Sequence, residues 1–194
     1  ISGGSLNAIV NNIRRNLHTV AELKAKLEKE KNEENQQQLQ QRIKEYQWTA
    51  DELKKSLPAV TWSGTFTKRS KEDLLQYSGL ICIDIDKQPA INELKKKLKS
   101  DPYTWLIFTS PSGNGLKVIV RVANGPEYPL QSFVALEEYY KKLHGVVIDP
   151  SGKDICRLCF LTTDTDFQCN YDSTIFTATA IPETVEKTVQ KTTT

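Results

Sequence analysis

Leu80-Ile81-Cys82-Ile83-Asp84-Ile85-Asp86-Lys87 is the stretch on which the fold turns. Its apolar run is short and isoleucine-rich, preceded by Ser78-Gly79 and closed by Pro89, which predicts a buried strand. Alternate residues of a strand share a face, so Asp84 and Asp86 point the same way. Two like charges buried side by side are costly unless something positive lies between them. A hard divalent cation would answer the problem, because it binds clustered carboxylate oxygens. Water would answer it too, if the strand ends at the surface and both aspartates are solvated. The stretch by itself leaves both readings open.

The surrounding chain has 194 residues, 38% of them hydrophobic and 26% charged. That is the profile of a globular domain with an extension. No apolar run approaches the ~20 residues of a membrane helix, and no signal-peptide core follows Ile1-Ser2-Gly3-Gly4. The expectation is a cytoplasmic protein that meets no membrane. The chain has no methionine, as a piece of a longer protein could lack one. Cys82 reads as a small core residue. Cys156 and Cys159 form a C-x-x-C, but no second pair or histidine pair accompanies it, so zinc and redox roles are disfavoured and a reducing compartment fits. Net charge is +2; residues 1–58 carry 10 Lys+Arg against 8 Asp+Glu, and the rest carry 16 of each. No basic field covers the molecule, so any nucleic-acid binding must rest on local patches and weaken steeply with salt.

Three regions follow from the periodicity: a charged helical extension over 1–58, an α+β core over 59–178, and a polar tail over 179–194. Residues 1–16 read as polar, with Arg14-Arg15 as a basic spot. Helical spacing starts at Thr19, which stands three before Glu22 as in a capping box, and resumes with Leu39, Ile43 and Tyr46. A third short helix is expected from Thr49, again three before Glu52 as in a capping box, to Leu57, ahead of Pro58. The core then alternates: a strand over Ala59–Phe66, a helix over Lys71–Tyr77, the Asp84 strand, a helix over Ile91–Leu98, strands over Trp105–Thr109 and Val118–Val122, and a turn at Asn124-Gly125-Pro126. A helix over Leu130–Leu143 is closed by Gly145, and strands over Val146–Pro150 and Ile155–Thr162 complete it. Such alternation predicts a mixed or antiparallel sheet with helices on at least one face.

Three further features carry chemistry. Ser110-Pro111-Ser112-Gly113-Asn114-Gly115-Leu116-Lys117 joins two strands. Gly113 and Gly115 permit close backbone approach to a phosphate, and Ser110, Ser112 and Lys117 supply donors and charge. The spacing is not that of a P-loop, and taken alone the loop reads first as a plain hairpin turn. Asp149 ends an apolar run as Asp84 does, and could complete a metal site; as Asp-Pro it could also merely start a turn. Arg157, flanked by apolar residues, suits forked phosphate contacts, or else a salt bridge to Asp154 or Asp149. Together, carboxylates that hold divalent ions and cations that hold a triphosphate are what phosphoryl transfer needs.

The order of these motifs resembles the archaeo-eukaryotic primase (primase-polymerase) superfamily, with its D-x-D strand, S-x-H-like motif and hydrophobic-Asp motif. More narrowly, Ser63-Gly64-Thr65-Phe66 with Arg69, Tyr77-Ser78-Gly79-Leu80 running into Asp84 and Asp86, Ser110 to Lys117, and Asp154-Ile155-Cys156-Arg157 resemble the VirE N-terminal-like domain of Bacteroidetes proteins. The resemblance spans residues 58–172. It implies a primase-polymerase-like fold and Mg²⁺ or Mn²⁺ on Asp84, Asp86 and Asp149. It further implies nucleoside triphosphate on Ser110, Ser112, Gly113, Gly115 and Lys117, with Arg157 and Arg69 as further phosphate contacts. Single-stranded DNA would be the partner, with a helicase-like region C-terminal in a mobile-element replication protein. Lys117 stands where the superfamily commonly has histidine; a lysine binds phosphate as a point charge but lacks the directed contact of an imidazole. The leading expectation is a nucleotidyltransferase of the DNA primase/polymerase type. A catalytically weak or inactive nucleotide-binding module of the same fold, and a metal-dependent nuclease, are the alternatives.

Overall fold

A computed structural model describes residues 3–123 and 129–177. The Asn124-Gly125-Pro126 turn and the tail over 179–194 lie outside them. Two long helices, α1 (Gly3–Leu27) and α2 (Glu33–Lys55), form an antiparallel hairpin. α1 begins well before Thr19, because Leu6, Val10, Ile13, Leu17, Val20 and Leu23 continue one apolar stripe at helical spacing. Val10, Ile13, Val20 and Leu23 are buried. Neither expected capping residue caps a helix. Thr19 and Thr49 both donate their hydroxyls back to the carbonyl four residues earlier, Thr49 from inside α2. The cap in use is Asn32, whose side chain accepts from the Asn35 amide.

The core is α+β. Its short strands β1 (Ala59–Val60), β2 (Gly64–Phe66) and β3 (Leu74–Tyr77) precede β4 (Leu80–Ile85), α3 (Ile91–Lys99), β5 (Thr104–Thr109), β6 (Leu116–Arg121) and α4 (Pro129–Tyr139). β7 (Cys159–Phe160) and β8 (Gln168–Cys169) follow. Among the described residues the main sheet has the order β4-β6-β5-β8, antiparallel throughout. The β5–β6 hairpin folds back so that β6 lies beside β4. β4 and β6 pair in regular register, with Asp84 opposite Lys117 and Ile83 opposite Val118.

Alternation divides this sheet into two faces. Ile81, Ile83 and Ile85 of β4, with Val118 and Val120 of β6, pack under α3 and α4 against Leu98, Phe133, Leu136 and Tyr140. Cys82, Ile119 and Phe108 face the other way, onto the β1–β7 ribbon, where Trp62 meets Trp105 edge to face at 6.2 Å. Asp84 is on this second face, near its open end. The hairpin docks on the same side: Val10, Ile13 and Leu57 enclose Phe160 of β7.

Four expected elements differ. The strand over Ala59–Phe66 is broken into β1 and β2, with the Thr61 hydroxyl bonded to the Gly64 carbonyl across the break. The helix expected over Lys71–Tyr77 is one 3₁₀ turn, Lys71–Asp73, capped by Ser70 and followed by β3, which pairs with β2. Val146–Ile148 runs outside any sheet. The strand expected over Ile155–Thr162 shrinks to β7, because the Arg157 amide bonds the Asp154 carbonyl and turns the chain. The α4 segment ends in a wider π-type turn, Tyr140–His144, and Gly145 closes it at φ 67°.

Two carboxylates, Asp101 buried and Asp164 half-buried, tie the periphery to the core. Lys95 of α3, 4% exposed, reaches Asp164 at 2.7 Å, and Asp164 also accepts from the Thr109 amide. Asp101 accepts from Tyr139 at 2.8 Å and lies 2.7 Å from His144 Nε2. Burial opposes ionisation of both, but hydrogen bonds from Lys95 to Asp164, and from His144 and Tyr139 to Asp101, outweigh it and hold both carboxyls below their usual range. A carboxyl that titrates lower folded than unfolded stabilises the fold above its unfolded pKa of about 3.9, and that stability is lost as pH falls below it. Urea midpoints are therefore expected to hold above about pH 5 and fall steeply below about pH 4. Asp164→Asn lowers the midpoint at neutral pH and flattens this acid limb; a limb that keeps its slope would refute the assignment.

Candidate functional site

The end of β4 and the start of β6 build the site. Asp84 is 3% exposed, and across the ladder Lys117 Nζ makes a close ion pair with its Oδ2. Asp86 lies just past β4 on the same side and is exposed. Asp149 arrives from a separate segment. Its amide donates to the Asp84 carbonyl at 2.8 Å, and its side chain caps the Pro150–Lys153 turn by accepting from the Ser151 amide at 2.9 Å. The turn-initiating role of Asp-Pro and the placement beside Asp84 are thus the same contact set. One carboxylate oxygen from each of Asp84, Asp86 and Asp149 lies within 4.8 Å of the others.

Arg157 bridges two of the three, its guanidinium 3.2 Å from Asp84 Oδ2 and 2.8 Å from Asp149 Oδ2. Burial raises the Asp149 carboxyl, but hydrogen bonding from Ser151 and the charge of Arg157 overcome it and hold the group low and ionised. Asp84 keeps one atom out of this network. Its Oδ1 is buried and has no hydrogen-bond partner among the described residues. A buried, unpartnered carboxylate oxygen is costly. Beside two more carboxylates, it fits the donor set of a divalent cation.

The loop from Ser110 to Lys117 is a hairpin connection, and it also walls the cleft. Ser110 and Ser112 hydroxyls lie 2.9 Å apart, and Ser112 donates to Asn114 Oδ1 at 2.6 Å. Gly115 allows the approach: a Cβ there would stand 2.9 Å from Asp86 Oδ1 and 2.9 Å from the Ile85 carbonyl. Gly115→Ala is expected to cost about 1–3 kcal/mol as strand ends are pushed apart, read as a lowered urea midpoint; an unchanged midpoint would show that the loop yields freely. Gly113, at φ 84°, faces Arg14 of α1 and not the cleft.

The enclosed space is about 120 Å³, lined by Asp84, Asp86, Ser110, Ser112, Lys117 and Arg157. Arg69 is not among its lining residues; it is exposed, between β2 and the Lys71–Asp73 turn. Three other lining residues are Lys54, Leu158 and Phe160, and the sequence reading missed them. Lys54 comes from α2 and lies 5.9 Å over the Phe160 ring. No local motif marks it, since a lysine near the end of a charged helix is commonplace. The C-x-x-C cysteines are free thiols, and the described residues place no metal-ligating cluster around them.

Fold and cleft define an α+β domain with a carboxylate cluster countered by lysine and arginine. The chain belongs to the BT4734-like, N-terminal domain family, whose model matches residues 52–168. The match begins inside α2 and takes in every candidate site residue. No curated protein and no solved structure matches the chain. Among the described residues no helix is long and apolar enough to cross a membrane.

Proposed function

We propose that the cleft is the nucleotidyl-transfer site of a primase-polymerase-like domain, taking nucleoside triphosphates and a single-stranded DNA or primer end. The observation that carries this reading is the unpartnered Asp84 Oδ1 within a three-carboxylate cluster, beside a Ser/Gly loop and two cations. Asp84, Asp86 and Asp149 would hold Mg²⁺ or Mn²⁺. When bound, such an ion polarises phosphoryl oxygens and stabilises the attacking and leaving groups. Lys117 and Arg157 now neutralise Asp84 and Asp149. With a triphosphate in the cleft, the same cations turn to its oxygens, and Ser110 and Ser112 orient it by hydrogen bonds.

A second reading has its own observation. Lys117 and Arg157 already satisfy Asp84 Oδ2 and Asp149 Oδ2, which suits a module that binds nucleotide without turnover. Primer extension with labelled nucleotides and Mn²⁺, run beside nucleotide binding, separates the two. Asp86 pairs with no cation among the described residues, so Asp86→Asn tests the metal without breaking an ion pair. Metal-dependent extension lost in Asp86→Asn supports transfer. Metal-dependent binding without extension supports the second reading. Extension indifferent to Asp86→Asn would overturn the site.

A further inference from the structure

The cleft adjoins a larger groove of about 380 Å³ between the helical hairpin and the Ser110–Lys117 loop; Lys54 and Ser112 line both. Most of the hairpin lies outside the matched family region. The groove's floor is apolar, from Ile13, Leu17, Val20 and Ala50. Its charged lining is Lys24, Lys54 and Lys87 against Asp51 alone. All three lysines are exposed, and none has a carboxylate within 4.0 Å among the described residues. Lys95, Lys99 and Lys117, by contrast, are each paired.

Lys87 adds a second observation. It holds φ 52°, and is the one non-glycine residue with positive φ among the described residues. That backbone favours glycine, yet the position directly after Asp86 carries a lysine that lines the groove.

We propose that this groove holds the sugar–phosphate backbone of a single-stranded nucleic acid. Lys24, Lys54 and Lys87 take its phosphates, and its end is directed at Asp84 and Asp86. Uncompensated ammonium groups spaced along a track suit a regularly charged backbone. An acidic peptide fits less well, because it would bring carboxylates up to Asp84 and Asp86, whereas a strand can end in a neutral hydroxyl. The direction of the strand rests on the nucleotidyl-transfer reading; the phosphate track does not.

The test uses the full chain, a short fluorescein-labelled oligothymidylate and anisotropy over a salt series, with a fluorescent nucleotide and Mn²⁺ as a parallel probe. Lys87→Gly removes the charge and relieves the backbone, so its thermal stability should not fall. Each lysine lost is expected to reduce the slope of log affinity against log salt by about 0.7. Lys24→Ala/Lys87→Gly should therefore bind the strand more weakly, with a slope lower by about 1.4, while nucleotide binding is kept. Wild-type slope and affinity in the double variant, or no strand binding by the wild type, would overturn the proposal. So would displacement of the strand by polyglutamate as readily as by unlabelled oligothymidylate. If the strand follows the lysines while no nucleotide binds, the groove assignment stands and the nucleotidyl-transfer reading falls.

Discussion

Asp84→Ala is expected to reduce metal-dependent nucleotide incorporation by on the order of 10²–10³-fold and to destabilise the fold at the same time. The two effects share one cause. Asp84 is buried, supplies the unpartnered Oδ1, and is the common partner of Lys117 and Arg157. Truncation leaves Lys117, whose side chain is 14% exposed, without its carboxylate. Removing one member of a buried pair costs about 3–5 kcal/mol. Asp84→Asn separates the contributions, because it keeps the shape and accepts a hydrogen bond but weakens a metal site. Isothermal titration with Mn²⁺ and urea unfolding should show Asn losing most of the metal affinity and less of the stability. Undiminished Mn²⁺ binding in Asp84→Asn would remove Asp84 from the ligand set.

Phe133→Ala is expected to cost about 3–5 kcal/mol, as large aromatic truncations in a core do. For a chain of this size that lowers the melting temperature by roughly 6–20 °C. Phe133 is 2% exposed on α4 and packs in the main core under β4. Its ring also supports the turn that Asp149 caps, for a Cβ on Gly152 would stand 2.7 Å from Phe133 Cε2. The cavity therefore opens beneath one of the three carboxylates. Differential scanning calorimetry reads the first effect, and weaker Mn²⁺ binding below the melting range reads the second. Full metal affinity in a destabilised Phe133→Ala would show that Asp149 is held by Ser151 and Arg157 without the ring.

The parts of the site legible in the sequence were those governed by local rules. Strand alternation put Asp84 and Asp86 on one face, and Asp-Pro placed Asp149 at the head of a turn. Lys117 was legible as the close of a hairpin loop, though its pairing with Asp84 depends on the β4–β6 register. Lys54 and Phe160 were not legible, because they meet only when the hairpin docks on β7. The α+β class followed from the alternation of elements. Strand lengths did not: Ile155–Thr162 is apolar enough for a strand, but the Asp154–Arg157 turn competes for its backbone and leaves two residues paired. Motif order groups Arg69 with the phosphate contacts but carries no information about direction in space.

The opposition of Asp84 and Lys117 also guards against mispairing. A slip of one residue in β4 or in β6 would turn Asp84 or Lys117 toward Leu98, Phe133 and Leu136, and turn apolar residues of the slipped strand toward the cleft. Burying those charges in an apolar layer costs far more than a lost hydrogen bond. The residues that could do the chemistry thus make the wrong alignment of the sheet prohibitive, and a chain selected for its cleft is selected for faithful assembly as well.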